Sequence, residues 1–134
     1  MRGSLVLTVA SLLFGAGSAT AGTSSRTSLT VTYWADGSRL TEKSVWTLRC
    51  NPPAGTLKRP VVACGRLAAG GWSLFIPVKK GTVCTEIYGG PQVALIVGTV
   101  DGRRVWARVQ RRDGCEVARW NRLTRWLLPP GGVT

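Results

Sequence analysis

Four cysteines, Cys50, Cys64, Cys84 and Cys115, and no histidine in 134 residues narrow the folds open to this chain. Structural zinc sites draw on closely spaced cysteine pairs or on histidine. Neither is present, so two disulfides are the better use of four cysteines in a small exported domain. Three connectivities are possible. The order Cys50–Cys64 and Cys84–Cys115 closes two separate local loops and is preferred. Each bridge would stabilise the fold by about 3 kcal/mol by restricting the unfolded chain.

The amino terminus has the layout of an export address. Met1-Arg2 is basic, Leu5 to Phe14 is apolar, and Ala19-Thr20-Ala21 is a small-x-small cleavage site. That pattern reads as a signal peptide over residues 1–21; the apolar run is too short for a membrane span, and nothing comparable follows it. Cleavage after Ala21 leaves residues 22–134 as one small secreted domain. Its side-chain charge is +11, one below the +12 of the whole chain, since Arg2 departs with the signal. Such a surplus suits anionic partners, whether acidic proteins, cell envelope or nucleic acid, without choosing among them.

Without histidine, no Ser-His-Asp or Cys-His relay can be assembled, and the usual proton shuttle near pH 7 is missing. The six acids, Asp36, Glu42, Glu86, Asp101, Asp113 and Glu116, all fall in turn-like or terminal contexts. Neither catalytic residues, nor a metal site, nor a cofactor is expected.

Periodicity along the chain is mostly two. Leu29, Val31 and Tyr33 alternate with Thr30, Thr32 and Trp34, and Ser44 to Cys50 makes a second strand with Trp46 and Leu48 on one face. Pro60 to Ala69 reads as a short helix, with proline in its first turn and Gly70-Gly71 at its end. Gln92 to Val100 is apolar on both faces and should be a central strand. Asp101-Gly102 then turns the chain into Arg103 to Arg111, with Val105, Ala107 and Val109 facing one way. Asp113 and Glu116 stand at capping-box spacing, which starts a second short helix. Leu123 to Leu128 either continues that helix or forms a last edge strand. The expected fold is α+β: an antiparallel sheet of about five strands with one or two helices on one side.

Between helix and central strand lies Val83-Cys84-Thr85-Glu86-Ile87-Tyr88. A cysteine staples this run to the body, and β-branched Thr85 favours an extended backbone. These and other motifs resemble the Streptomyces subtilisin inhibitor family of secreted serine-protease inhibitors. Thr47-Leu48-Arg49-Cys50 is similar to the family's T-L-x-C strand end, and Cys64-x-x-Leu67 to its C-x-x-L helix. Cys84-x-x-x-Tyr88 is similar to its C-P-x-V-Y loop, and Gly102-x-Arg104-Val105 to its G-x-R-V hairpin. The resemblance covers nearly all of residues 22–134 and implies the same two bridges, Cys50–Cys64 and Cys84–Cys115.

It further implies a substrate-like inhibitor whose partner is an extracellular serine protease. The loop Val83 to Tyr88 would present the Glu86–Ile87 bond, with Glu86 in the primary specificity pocket. Val83 and Thr85 would fill subsites before the bond, and Ile87 and Tyr88 the leaving-group side. Thr85 stands where the family usually has proline, although Cys84-Thr85-Glu86-Ile87-Tyr88 also resembles the C-T-x-x-Y loop of Kazal inhibitors. Glu86 replaces the family's common Met, Lys or Arg, so the expected target is a glutamate-specific or, more weakly bound, a subtilisin-like serine protease rather than a trypsin. Tyr88-Gly89-Gly90-Pro91 is one residue longer than the family's Y-D-P, and its glycines are expected to loosen the leaving-group side. Family members also pair into homodimers through their sheets, so a dimer is expected.

A reading of a different class starts from the arginines. Arg103, Arg104, Arg108, Arg111, Arg112, Arg119, Arg122 and Arg125 are interleaved with Trp106, Trp120 and Trp126. On one surface they would bind an anionic partner by charge and stacking. The blander version is a solvated basic face, whose charge could also speed association with an acidic protease.

Overall fold

The computed structural model describes residues 26–38 and 40–133, together with Gly15, Gly17 and Ser18. The expected signal peptide, those three residues apart, lies outside the described residues, as does its cleavage site.

Four strands form one antiparallel sheet: β1 (Ser28–Trp34), β2 (Ser44–Arg49), β3 (Val93–Val100) and β4 (Arg103–Val109), in the spatial order β2-β1-β3-β4. The register sets Val31 opposite Trp46 on one side and Ile96 on the other, and Ile96 opposite Ala107. Period-two alternation therefore collects Leu29, Val31, Leu48, Ile96, Val105, Ala107 and Val109 on one buried face. Between β3 and β4, Asp101 (φ 49°) and Gly102 (φ 81°) both take the left-handed conformation, as a tight two-residue hairpin turn requires.

Two helices cover the buried face. Helix α1 (Pro60–Gly70) opens on its proline and turns Ala63 and Leu67 inward. Its Cys64 bonds Cys50 at the end of β2, with Cα atoms 5.7 Å apart. A 3-10 segment, Gly71–Phe75, follows. Helix α2 (Gly114–Leu123) is capped by Asp113, whose carboxylate accepts from the Glu116 amide at 2.9 Å. Its inner side buries Trp120 and Leu123 completely, and the Trp120 indole donates to the Pro129 carbonyl.

Arg119, also on α2, is buried and donates to the carbonyls of Phe75, Ile76 and Arg108. Desolvation pushes its pKa below the ordinary arginine value, partly offset by Glu116 at 3.7 Å. The residue joins the 3-10 segment and β4 to α2.

Both outer strands have neighbours along their free edges. The chain after β2 folds back so that Leu57 donates to the Thr47 carbonyl and Thr56 accepts from the Thr47 amide. Along β4, the Arg104 carbonyl accepts from the Trp72 indole and the Arg108 carbonyl from Arg119.

Leu123 to Leu128 neither continues α2 nor forms an edge strand, so the sheet has four strands rather than about five among the described residues. That segment does not alternate: Trp126, Leu127 and Leu128 are all buried in succession. Arg125 adopts φ 75°, and the Leu127 and Leu128 amides both return to the Leu123 carbonyl. The result is a buried turn closing the end of α2, with the Trp46 indole bound to the Leu127 carbonyl.

Ile96 is fully buried at the centre of β3. Ile96→Ala should lower the unfolding free energy by about 2–5 kcal/mol. The reading is a reduced urea midpoint at unchanged m-value.

Candidate functional site

Residues 77–91 run from the 3-10 segment to β3 without forming a helix or strand. Within that stretch residues 79–83 and 85–88 are exposed, and Cys84 between them is half-buried. Val83 is 96% exposed, Ile87 60% and Tyr88 54%, and Thr85 and Glu86 are also exposed. Among the described residues Glu86 makes no salt bridge.

Upstream, the run is fastened to the first turn of α2. Cys84 bonds Cys115, Cα atoms 5.4 Å apart. The Gly114 amide donates to the Thr85 carbonyl at 2.9 Å. The approach is close enough that a Cβ at Gly114 would sit 1.9 Å from the Thr85 hydroxyl. The structure thus forms the two local-loop bridges rather than the crossed or the nested pairing. Cys84, Cys115 and Asp113 place possible metal-ligand atoms near one another, but the two sulfurs are bonded together and offer no thiolate.

Downstream, the run is fastened again at Gly89. Its amide donates to the Arg111 carbonyl at 2.8 Å, and its carbonyl accepts from Arg111 Nε at 2.9 Å. A Cβ at Gly89 would meet Val117 Cγ2 at 2.4 Å. Gly90, buried at φ 128°, leaves no room for a side chain against the Gly132 carbonyl. The expectation that these glycines loosen the chain is therefore corrected: they allow two close backbone approaches that hold it. Four residues, Thr85 to Tyr88, lie between the bridge at Cys84 and the clamp at Gly89.

The interleaved arginines and tryptophans do not share one surface. Trp120 and Trp126 are buried, as are Arg111 and Arg119, whereas Trp106 is 71% exposed. Only alternate residues of β4 (Arg104, Trp106 and Arg108) point together onto the outer face of the sheet, where Val45 and Val97 are also exposed. Arg103 stacks on Trp72 instead, 4.1 Å from the ring centroid. Pattern reading placed Arg111 with the basic residues and missed its part in the loop. No local signal marks it, because its partner Gly89 is distant in sequence.

A small two-disulfide α+β domain that holds out an anchored, exposed loop is the build of a protein-protease inhibitor. The chain belongs to the subtilisin inhibitor-like family, whose model matches residues 23–110, a span containing all four strands, α1 and the loop. That family comprises protease inhibitors, not enzymes. Nine chains of solved structures also match. Among them is Streptomyces caespitosus sermetstatin, solved in complex with Bacillus licheniformis subtilisin. It is 25% identical, with 69% of this chain and 88% of that one covered and a TM-score of 0.44. No curated protein sequence matches.

Replacing Cys84 and Cys115 together by serine should cost about 2–5 kcal/mol of stability. It should also make the chain between residues 83 and 88 the first site cut by a non-specific protease. Thermal unfolding and mass mapping of the early fragments check both.

Proposed function

We propose that residues 22–134 form an exported inhibitor of a serine protease, acting as a substrate that is held after attack. The observation that carries this reading is the exposed run from Thr85 to Tyr88 between a disulfide on one side and the Gly89–Arg111 clamp on the other. A loop fixed at both ends loses less conformational freedom on entering a cleft, so it binds preorganised. Pairing of its backbone with the protease's own strands would align the Glu86–Ile87 bond for attack. The protease serine oxygen would attack the Glu86 carbonyl carbon, and the Ile87 amine would leave with the transferred proton. Held close by, that amine would attack the acyl-enzyme in reverse, displacing the serine and restoring the peptide bond.

Glu86 selects the target. A carboxylate buried unpaired costs several kcal/mol, and about 1.4 kcal/mol is tenfold in affinity. The acidic pocket of a trypsin and the apolar pocket of a subtilisin both penalise it. A glutamate-specific serine protease, whose pocket offers polar or basic groups, matches it. Export is consistent with the two disulfides, which persist in oxidising surroundings.

A second reading rests on the outer face of the sheet. Arg104 and Arg108 flank the exposed Trp106, Arg49 is exposed on β2, and no acid lies on strands β1 to β4. This face would take an anionic polymer by charge and stacking, whereas a second copy docking there would bring like charges together.

The oxidised mature domain should inhibit a glutamate-specific serine protease in steady-state assays and leave trypsin active. Glu86→Arg should exchange those two activities. Absence of inhibition of subtilisin, trypsin and the glutamate-specific enzyme alike would overturn the proposal. The second reading predicts retention on a polyanion such as heparin, weakening steeply with salt. Inhibition through the loop should depend on salt far less.

A further inference from the structure

We infer that Arg111 is the positioning residue that keeps the leaving-group side of the loop in place, so that a cut Glu86–Ile87 bond reseals rather than falls open. The inference rests on the inhibitory reading of the loop, and it gives a role in that loop to a residue that the family's motifs do not mark and that the basic pattern counted only as charge.

Arg111 is 8% exposed and, among the described residues, has no carboxylate partner. A buried cation without a counter-charge is costly unless neutral acceptors hold it. Here Nε donates to the Gly89 carbonyl at 2.9 Å, and one terminal nitrogen to Asn121 Oδ1 at 3.0 Å. The guanidinium carbon lies 5.9 Å from the Trp120 ring centroid. Gly131 presses so close that a Cβ there would come within 2.2 Å of the Arg111 side chain. Asn121 and Trp120 both belong to α2, the helix that carries Cys115. The planar fork therefore refers the leaving-group side to the same helix that fixes the acyl side, which a lysine cannot copy.

The geometry sets how far the cut ends can separate. Glu86 follows Thr85, whose carbonyl is bound to Gly114, and Ile87 lies two residues before Gly89. At roughly 3.3–3.6 Å per extended residue, the new amine is tethered within about 7 Å of its anchor. Such a tether makes resealing effectively intramolecular. Without the Arg111 side chain only the backbone bond to Gly89 remains, and the amine can swing away before it attacks.

Three proteins should be compared with the native domain: Arg111→Met, Arg111→Lys, and Ile96→Val as a core change remote from the loop. Two readouts are needed. The first is amide hydrogen exchange, which involves no protease. The second is incubation with the glutamate-specific protease, following the cleavage rate at Glu86–Ile87 and the final ratio of cut to intact chains. Arg111→Met should speed exchange at Gly89, whose amide donates to the Arg111 carbonyl, while the α2 amides stay protected. Its cleavage rate and its cut-to-intact ratio should each rise about tenfold, the loss of one charge-assisted hydrogen bond. Arg111→Lys should fall between Arg111→Met and native, and Ile96→Val should change neither readout.

Native exchange at Gly89 in Arg111→Met overturns the inference, as does an equal change in Ile96→Val. If the native domain is neither an inhibitor nor cut at Glu86–Ile87, the inhibitory reading fails by itself. Exchange then still decides whether Arg111 positions the loop.

Discussion

The seating of α2 against the inner face of the sheet fixes the rest of the molecule. Trp120 is fully buried there, 6.2 Å from the Tyr33 ring, with Leu123 buried one turn on. Loss of a buried aromatic of this size typically costs about 3–5 kcal/mol. Gly114 and Cys115 in the first turn hold Thr85 and Cys84, while Trp120 and Asn121 in the last turns hold Arg111 and through it Gly89. The exposed run thus owes its shape to a helix packed on the core rather than to contacts among its own side chains. That division leaves Glu86, Ile87 and Tyr88 free of structural duty and available to a partner.

Much of this was legible in the sequence because it is local. Alternation in Leu29-Thr30-Val31-Thr32-Tyr33 and in Arg104-Val105-Trp106-Ala107-Arg108 names both the strands and their buried sides. Asp101-Gly102 fixes a turn, Pro60 a helix start, and Asp113 with Glu116 another. Cysteine order and loop motifs pointed to the family. What escaped was long-range. Leu123 to Leu128 is as apolar as an edge strand, yet the left-handed Arg125 and bonds back to Leu123 make it a turn. Gly89 and Gly90 look like flexible punctuation, and only the approach of Val117 and Gly132 shows them to be sites of close packing. The arginines read as one basic population, whereas burial sorts them: Arg111 and Arg119 are interior connectors, and Arg104 and Arg108 are surface charges.

The two fastenings of the loop differ in kind. The bridge at Cys84 is covalent and answers to reductant. The clamp at Gly89 is made of hydrogen bonds around a buried cation and depends on water staying out. Reduction would therefore leave the Cys84 end held only by the Gly114–Thr85 hydrogen bond while the Gly89 end stays tied, and solvation of Arg111 would loosen the Gly89 end instead. Either half alone leaves a loop that is exposed but no longer preorganised.

The edges of the sheet carry a consequence for association. An uncovered edge strand is a template on which a second chain can build. Here the chain from Ala54 to Leu57 lies along β2, and the indole of Trp72 and the guanidinium of Arg119 occupy carbonyls of β4. Strand addition is hindered at both ends of the sheet, so a second chain cannot extend it. Edge-to-edge growth, which has no natural stop, is thereby blocked. Covered edges of this kind protect the fold against growing into fibres.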